Sequence, residues 1–410
     1  MTNATLFIIN NFKTGGSEIY LVNLCNRMVE SGRGASILVL GKISLEMSNG
    51  LDSRVDLFTL SQYLNPVLRI PLYLCQYLNR ASHLLFIPFI SNRVKIFFQN
   101  VHCFDCESVV AANVIFDKAK LTVGIYGPME LLWDNNLKYA KLKNSLCKNI
   151  PFQNVYSDKK SLLNKHIKIF DQSTYIKTYY NVFPFAIDLK EKPENHYNLN
   201  SSTIITAARH VYNKGFIPFL IENYSELFDR DNLTLKIIGE GPKTTKWKAL
   251  SENPRIIFMG LLNINDLQKE LKDAALFIGS GSTSLLAAQF GIPTIVASES
   301  IEGNYIKGYF NEIKEITYKR SLDDMPLDTK IEKFLKLSDI EKTKISHAAF
   351  VAAKKYNPED HFSNFCHYLE NSNEVIMSGV EVKLSTFIEI FVKDLFGIDK
   401  AYRYRHNHGD

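Results

Sequence analysis

Two hydrophobic periods alternate along the chain, and the switches between them mark its elements. Residues 5–10 form a short apolar run. After the turn that holds Gly15 and Gly16, the apolar positions Ile19, Leu21, Val22, Leu24 and Met28 recur at helical spacing. The pattern predicts strand, glycine turn and helix, with Gly32 and Gly34 ending the helix. Further strands are predicted over 35–40, 55–60, 95–101, 120–126 and 152–156, with a helix over 107–116. Strands and helices alternating at this spacing imply right-handed βαβ crossovers and a parallel sheet covered on both faces.

The polar, proline-containing stretch 189–200 breaks the series and is predicted as a linker. A second series follows it. Strands are predicted over 202–207, 233–238, 256–259, 276–278 and 294–297, and helices over 217–228, 265–272 and 283–290. The expected organisation is a domain over 1–188, the linker, a second domain over 201–375, and a helix with a basic tail over 376–410 that packs back on the first domain. Both domains are α/β and doubly wound. Open sheets of that kind take ligands beyond the carboxyl ends of their strands, so the active site is expected in a central cleft between two facing domains.

Composition narrows the function. A chain of 410 residues exceeds one ordinary core, and 46% hydrophobic with 22% charged residues excludes a disordered protein. A net charge of +5 with no dense basic stripe argues against nucleic acid as a partner. Six cysteines are scattered along a chain that opens without a secretory leader, which points to reduced thiols and a cytoplasmic location. Cys103-Phe-Asp-Cys106 has the spacing of a zinc or redox pair, but no second pair follows it, so no metal is expected. No apolar stretch reaches the roughly 20 residues that cross a bilayer. Between 63 and 95, aromatic residues and Arg69, Arg80, Arg93 and Lys95 surround apolar ones. That segment either contacts the inner face of a membrane or completes the core of the first domain.

Four glycine or cation motifs stand where strands end. Gly15-Gly16-Ser17-Glu18 precedes the first helix, where glycines admit a ligand close to backbone and free N–H groups face an anion; a capped turn with no ligand has the same pattern. Arg209 and Lys214 lie just after the strand that opens the second domain. A planar fork and a point charge together suit a diphosphate, although two solvated surface charges would look the same. In Gly279-Ser280-Gly281-Ser282-Thr283-Ser284, small residues at a helix start offer N–H groups and hydroxyls to phosphate, or simply cap the helix. Gly239 and Gly241 form a fourth turn at the same edge, suited to a nucleotide. His102 and Tyr126 end strands of the first domain, with the carboxylates Asp105 nearby and Glu130 on the loop above the sheet. Each is a candidate for contact with substrate, although a lone histidine such as His102 is equally read as a satisfied structural residue.

In this order the motifs resemble the retaining GT-B enzymes of glycosyltransferase family 4. The likeness runs from residue 5 to about 305 and includes Ile-Ile-Gly-Glu-Gly-Pro242, Phe258-Met-Gly260, Gly291-Ile-Pro-Thr-Ile-Val-Ala297 and Phe-Pro-Phe-Ala-Ile-Asp188. The resemblance implies two Rossmann-like domains and a nucleoside-diphosphate-sugar donor held at its diphosphate by Arg209, Lys214, Gly281, Ser282 and Thr283, with Gly15 and Gly16 approaching the phosphates. It implies a glycan or lipid-linked acceptor, as in bacterial surface polysaccharide synthesis, and catalytic contacts from His102, Tyr126 and Glu130. The sequence departs from the family in two places. Leu286 stands where the second of two glutamates aligns, and Tyr126 stands where many members carry a histidine that contacts the donor sugar. Two other readings share the scaffold: a nucleotide-sugar epimerase, and an accessory subunit without donor chemistry.

Overall fold

The computed structural model describes residues 4–12, 15–41, 43–59, 98–126, 145–160, 163–164, 181–182, 195, 197–314 and 321–377. The segment 63–95, Glu130, and the tail beyond 377 fall outside these residues, as does most of the expected linker. The chain divides into two compact units, one of residues 1–185 with 359–410 and the other of 186–358.

The first sheet is built from β1 (Thr5–Ile9), β2 (Ala35–Val39), β3 (Asp56–Thr59), β4 (Asn100–Cys103), β5 (Lys118–Ile125), β6 (Val155–Ser157) and β7 (Asn181–Val182). They pair in parallel in the order β3-β2-β1-β4-β5-β6-β7. β1 and β2 are buried at every position, which is why their sequences are apolar without alternation. Helix Gly16–Glu30 buries Tyr20, Leu21, Leu24, Cys25, Met28 and Val29 against the sheet, one stripe at helical spacing. Ile19, expected on that stripe, is instead exposed because it falls beside it on the helix. The predicted strand over 95–101 emerges as β4, displaced toward the carboxyl end, and the one over 152–156 as a 3₁₀ turn Phe152–Asn154 leading into β6.

The second sheet contains β8 (Thr203–Ala207), β9 (Thr234–Ile238), β10 (Ile256–Gly260), β11 (Leu276–Gly279), β12 (Thr294–Ala297), β13 (Tyr305–Tyr309) and β14 (Met325–Pro326). Its order, β10-β9-β8-β11-β12-β13-β14, repeats that of the first sheet, but β13 runs antiparallel to both of its neighbours, β12 and β14, with β14 at the edge. The helix predicted over 217–228 is broken into Phe216–Glu222 and Tyr224–Leu227. Asn223 stands at the break, its side-chain amide donating to the carbonyl of Phe219 at 2.8 Å. Helix Ser282–Gln289 has six of its eight residues buried, consistent with its lack of an exposed polar face.

The domain boundary expected at 375 lies earlier in the structure. Helix Pro358–Glu370 sends Phe365, Tyr368 and Leu369 into the core of the first unit, and β15 (Val375–Ile376) pairs antiparallel with β5. Asn154 ties this return in place. Its amide nitrogen donates to the carbonyls of Leu121 (2.8 Å) and Asn373 (2.7 Å), and its side-chain oxygen accepts from the amide of Asn373 (2.9 Å). No helix among the described residues is long and apolar enough to cross a membrane.

Candidate functional site

In the second sheet the strand order reverses between β8 and β11, so the loops leaving these strands emerge side by side. Such switch points are where open α/β sheets take ligands. Gly281 joins β11 to helix Ser282–Gln289 with φ of 76° and ψ of −144°, a conformation that disfavours any residue with a Cβ. The turn starts the helix at once, and the amides of Ser282 and Thr283 precede its first intrahelical bonds at its electropositive end. The Thr283 hydroxyl donates to the carbonyl of Ala207 at 2.8 Å, fixing the helix start to the end of β8. Its hydroxyl is thereby committed to structure, and its amide is the group left for an anion.

Lys214 reaches this turn from the β8 loop. Its ammonium donates to Ser280 Oγ at 2.7 Å, across 66 positions of sequence, and forms an ion pair with Glu299. The other oxygen of Glu299 accepts from the Asn213 side-chain amide at 2.7 Å. Arg209, on the same loop, is exposed and makes no side-chain hydrogen bond or ion pair among the described residues. Glu299 was missed by sequence reasoning, since it lies just beyond β12 in no recognisable motif. A signal was present in the neighbouring glycines Gly215 and Gly303. The amide of Gly215 donates to the carbonyl of Ser300 at 3.0 Å, and this close backbone approach carries Glu299 to Lys214.

Gly239 and Gly241 are explained by packing between loops. A Cβ on Gly239 would collide with the carbonyl of Ala208, and one on Gly241 with that of His210. His210 is fully buried beside Trp247 and Phe258, with Nδ1 2.8 Å from Thr244 Oγ1. Burial first, and then the charge of Lys248, push its pKa down to about 4, so the ring is neutral near pH 7.

The first unit places Gly15 and Gly16 at the start of helix Gly16–Glu30, where the carbonyl of Gly15 accepts the amide of Ile19 at 3.0 Å. A Cβ on Gly16 would meet no atom within 4 Å, so packing makes no demand for glycine there. Asp105 caps the helix after β4 through the Ser108 amide (2.7 Å) and accepts the Asn10 amide (2.8 Å), tying together the loops that leave β1 and β4. Cys103 is in the core, where burial raises its thiol well above the usual range.

His102 stands behind Tyr126. The ring is fully buried among Phe7, Phe104, Phe365 and Tyr368. Nδ1 is 2.9 Å from Thr122 Oγ1, and Nε2 is 2.8 Å from the Tyr126 hydroxyl. Thr122 donates its own hydrogen to the carbonyl of Val101 at 3.1 Å, so it accepts from Nδ1–H and Tyr126 donates to a bare Nε2. Tyr126 is half-buried, stacked on Phe104 with centroids 4.4 Å apart, and its ring folds over Gly124, where a Cβ would overlap it. Of the first unit's catalytic candidates among the described residues, Tyr126 is the one with exposed surface and His102 is a buried support.

Burial holds the His102 pKa down to about 3, whereas the unfolded chain takes up a proton near 6.5. Protons therefore favour unfolding, and the contribution of His102 is full above pH 6.5 and lost as pH falls toward 3. Urea unfolding of wild type should weaken with acidity by ~1.4 kcal/mol per pH unit more than that of His102→Gln across pH 6 to 4.5. Parallel curves would mean that the ring is not held neutral.

No protein-family model matches the sequence, and no curated protein does. Solved structures do match. TarM of S. aureus, in a complex with UDP, superposes with a TM-score of 0.62 at 11% identity over 90% of this chain and 100% of its own. Anabaena HepE, in complex with UDP-glucose, gives 0.60 at 12% identity over 90% and 99%. The lipopolysaccharide outer core galactosyltransferase WaaB gives 0.55 at 13% identity over 90% and 99%. The chain has the two-domain α/β fold of the GT-B glycosyltransferases.

Proposed function

We propose that the protein is a glycosyltransferase that moves a sugar from a nucleoside-diphosphate donor to a hydroxyl of a glycan or lipid-linked acceptor in bacterial surface polysaccharide synthesis, with retention of anomeric configuration. The observation that carries this reading is the meeting of Lys214, Ser280 and the glycine-entered start of helix Ser282–Gln289 at the switch point of the second sheet. The UDP bound to TarM and the UDP-glucose bound to HepE make uridine diphosphate sugars the first donors to test.

Breaking the bond between the sugar's anomeric carbon and the phosphate leaves negative charge on the departing diphosphate. Lys214 supplies a point charge and Arg209 a planar fork for it, while the amides of Ser282 and Thr283 supply oriented dipoles. In the first unit, Gly16 is a glycine without a packing reason, and Tyr126 offers a hydroxyl at the end of β5. With the charge met by protein cations, no metal is required. Residues 63–95 would give contact with the inner face of a membrane, where a lipid-linked acceptor is found.

The test is release of UDP from UDP-glucose, UDP-galactose and UDP-N-acetylglucosamine with and without a lipid-linked oligosaccharide acceptor. Acceptor-dependent release that persists in EDTA supports the reading. Donor conversion without acceptor would identify an epimerase, and no turnover of any donor by this chain alone would favour an accessory subunit.

A further inference from the structure

The Lys214–Glu299 pair has a consequence for what the site accepts. Both side chains are largely removed from solvent, at 13% and 14% exposure, unlike the surface pairs that water screens. Ser280 Oγ lies 3.2 Å from the Glu299 oxygen that pairs with Lys214, so lysine, serine and carboxylate form one closed triangle. The carboxylate is anchored from behind by Asn213, and its neighbour Ser300 accepts the backbone amide of Gly215. Glu299 is thus built into the anion site.

We propose that Glu299 is a specificity-determining residue for this site: an internal carboxylate that competes with a ligand's phosphates for Lys214 and Ser280. The proposal rests on the reading of the site as one for a nucleoside diphosphate. A phosphate seated at the amides of Ser282 and Thr283 must share Lys214 with Glu299 or replace it. In either case two anions approach each other in a partly dry site, and the penalty grows with ligand charge. Glu299 therefore weakens every anion and sets a threshold that only a strongly charged group, held by several donors at once, overcomes. A neutral ligand is indifferent to it.

The experiment is a calorimetric titration of UDP, UMP and uridine into wild type, Glu299→Gln, Lys214→Met and the double variant Glu299→Gln with Lys214→Met, with melting temperatures recorded for each. Glu299→Gln is expected to bind UDP about tenfold more tightly, UMP by a smaller factor and uridine unchanged. The double variant should lose the gain. Equal or weaker UDP binding by a folded Glu299→Gln, or an equal gain for uridine, overturns the proposal and leaves Glu299 a structural tether. Should Glu299→Gln fail to fold, Asn213→Ala releases the anchor of the carboxylate and is expected to tighten UDP severalfold; no tightening overturns the proposal. Binding of UDP by wild type that is lost in Lys214→Met while Glu299→Gln shows no gain refutes this proposal alone. Absence of UDP binding throughout refutes it together with the donor-site reading.

Discussion

Replacing Arg209 and Lys214 together with alanine is expected to remove the thermal stabilisation that UDP confers on the wild type, weakening binding by about 10²- to 10⁴-fold. The magnitude follows from two charge-assisted interactions with phosphate, each worth ~1.5–3 kcal/mol. The two residues should behave differently as single variants. Arg209 is exposed and has no side-chain partner among the described residues, so Arg209→Ala should leave the melting temperature of the protein alone unchanged. Lys214→Ala also leaves Glu299 largely buried with its cation gone, and is expected to lower the melting temperature by a few degrees as well as binding. A double variant that binds UDP like wild type would move the diphosphate site elsewhere. A thermal-shift series over UDP concentration separates these outcomes, because stabilisation grows with the logarithm of ligand over its dissociation constant.

The strands of both units were legible because buried parallel strands are short apolar runs, and their ends located the loops that carry Arg209, Lys214 and Gly281. Local sequence could not say which loops meet. The Lys214–Ser280 contact follows from the reversal of strand order between β8 and β11, which the motif order of a doubly wound sheet already implied. Glu299 depends on the approach of Gly215 to Ser300, a backbone contact with no periodic signature. His102 was picked out as a chemical group, yet the residues that bury it come from β1, the residue just after β4 and the returning helix Pro358–Glu370. The apolar spacing of Phe365, Tyr368 and Leu369 marks an amphipathic helix but does not say which core it joins. That is decided by long-range partners such as Tyr20, whose hydroxyl is 2.7 Å from His361 Nε2, and Asn154, whose carbonyl accepts the Tyr368 hydroxyl at 2.5 Å.

Gly215→Ala is expected to cost ~3 kcal/mol or more of unfolding free energy in urea, and to disturb UDP binding at the same time. A Cβ there would collide with the carbonyl of Ile301 and come within 2.5 Å of that of Ser300, and backbone oxygens cannot rotate aside as a side chain does. The facing loop packs closely at a second point, since Gly303 sits at φ of 71° against Gly215 and a Cβ on it would overlap the Gly215 carbonyl, so the two segments cannot stay in register around an added methyl group. The chain must therefore separate Lys214 from the segment that carries Glu299 and Ser300, and the lysine loses the geometry that brings it to Ser280. Gly16→Ala provides the contrast. Its Cβ would meet nothing within 4 Å and the residue is already helical, so stability should be unchanged or rise by ~0.5–1 kcal/mol. If backbone at Gly16 approaches the donor phosphates, Gly16→Ala lowers UDP affinity without lowering stability. Gly215→Ala lowers stability and disturbs affinity together. Glycine at 215 is thus required by the fold, whereas a demand for glycine at 16 would have to come from a ligand, and unfolding and UDP titration measured on the same two variants test that distinction.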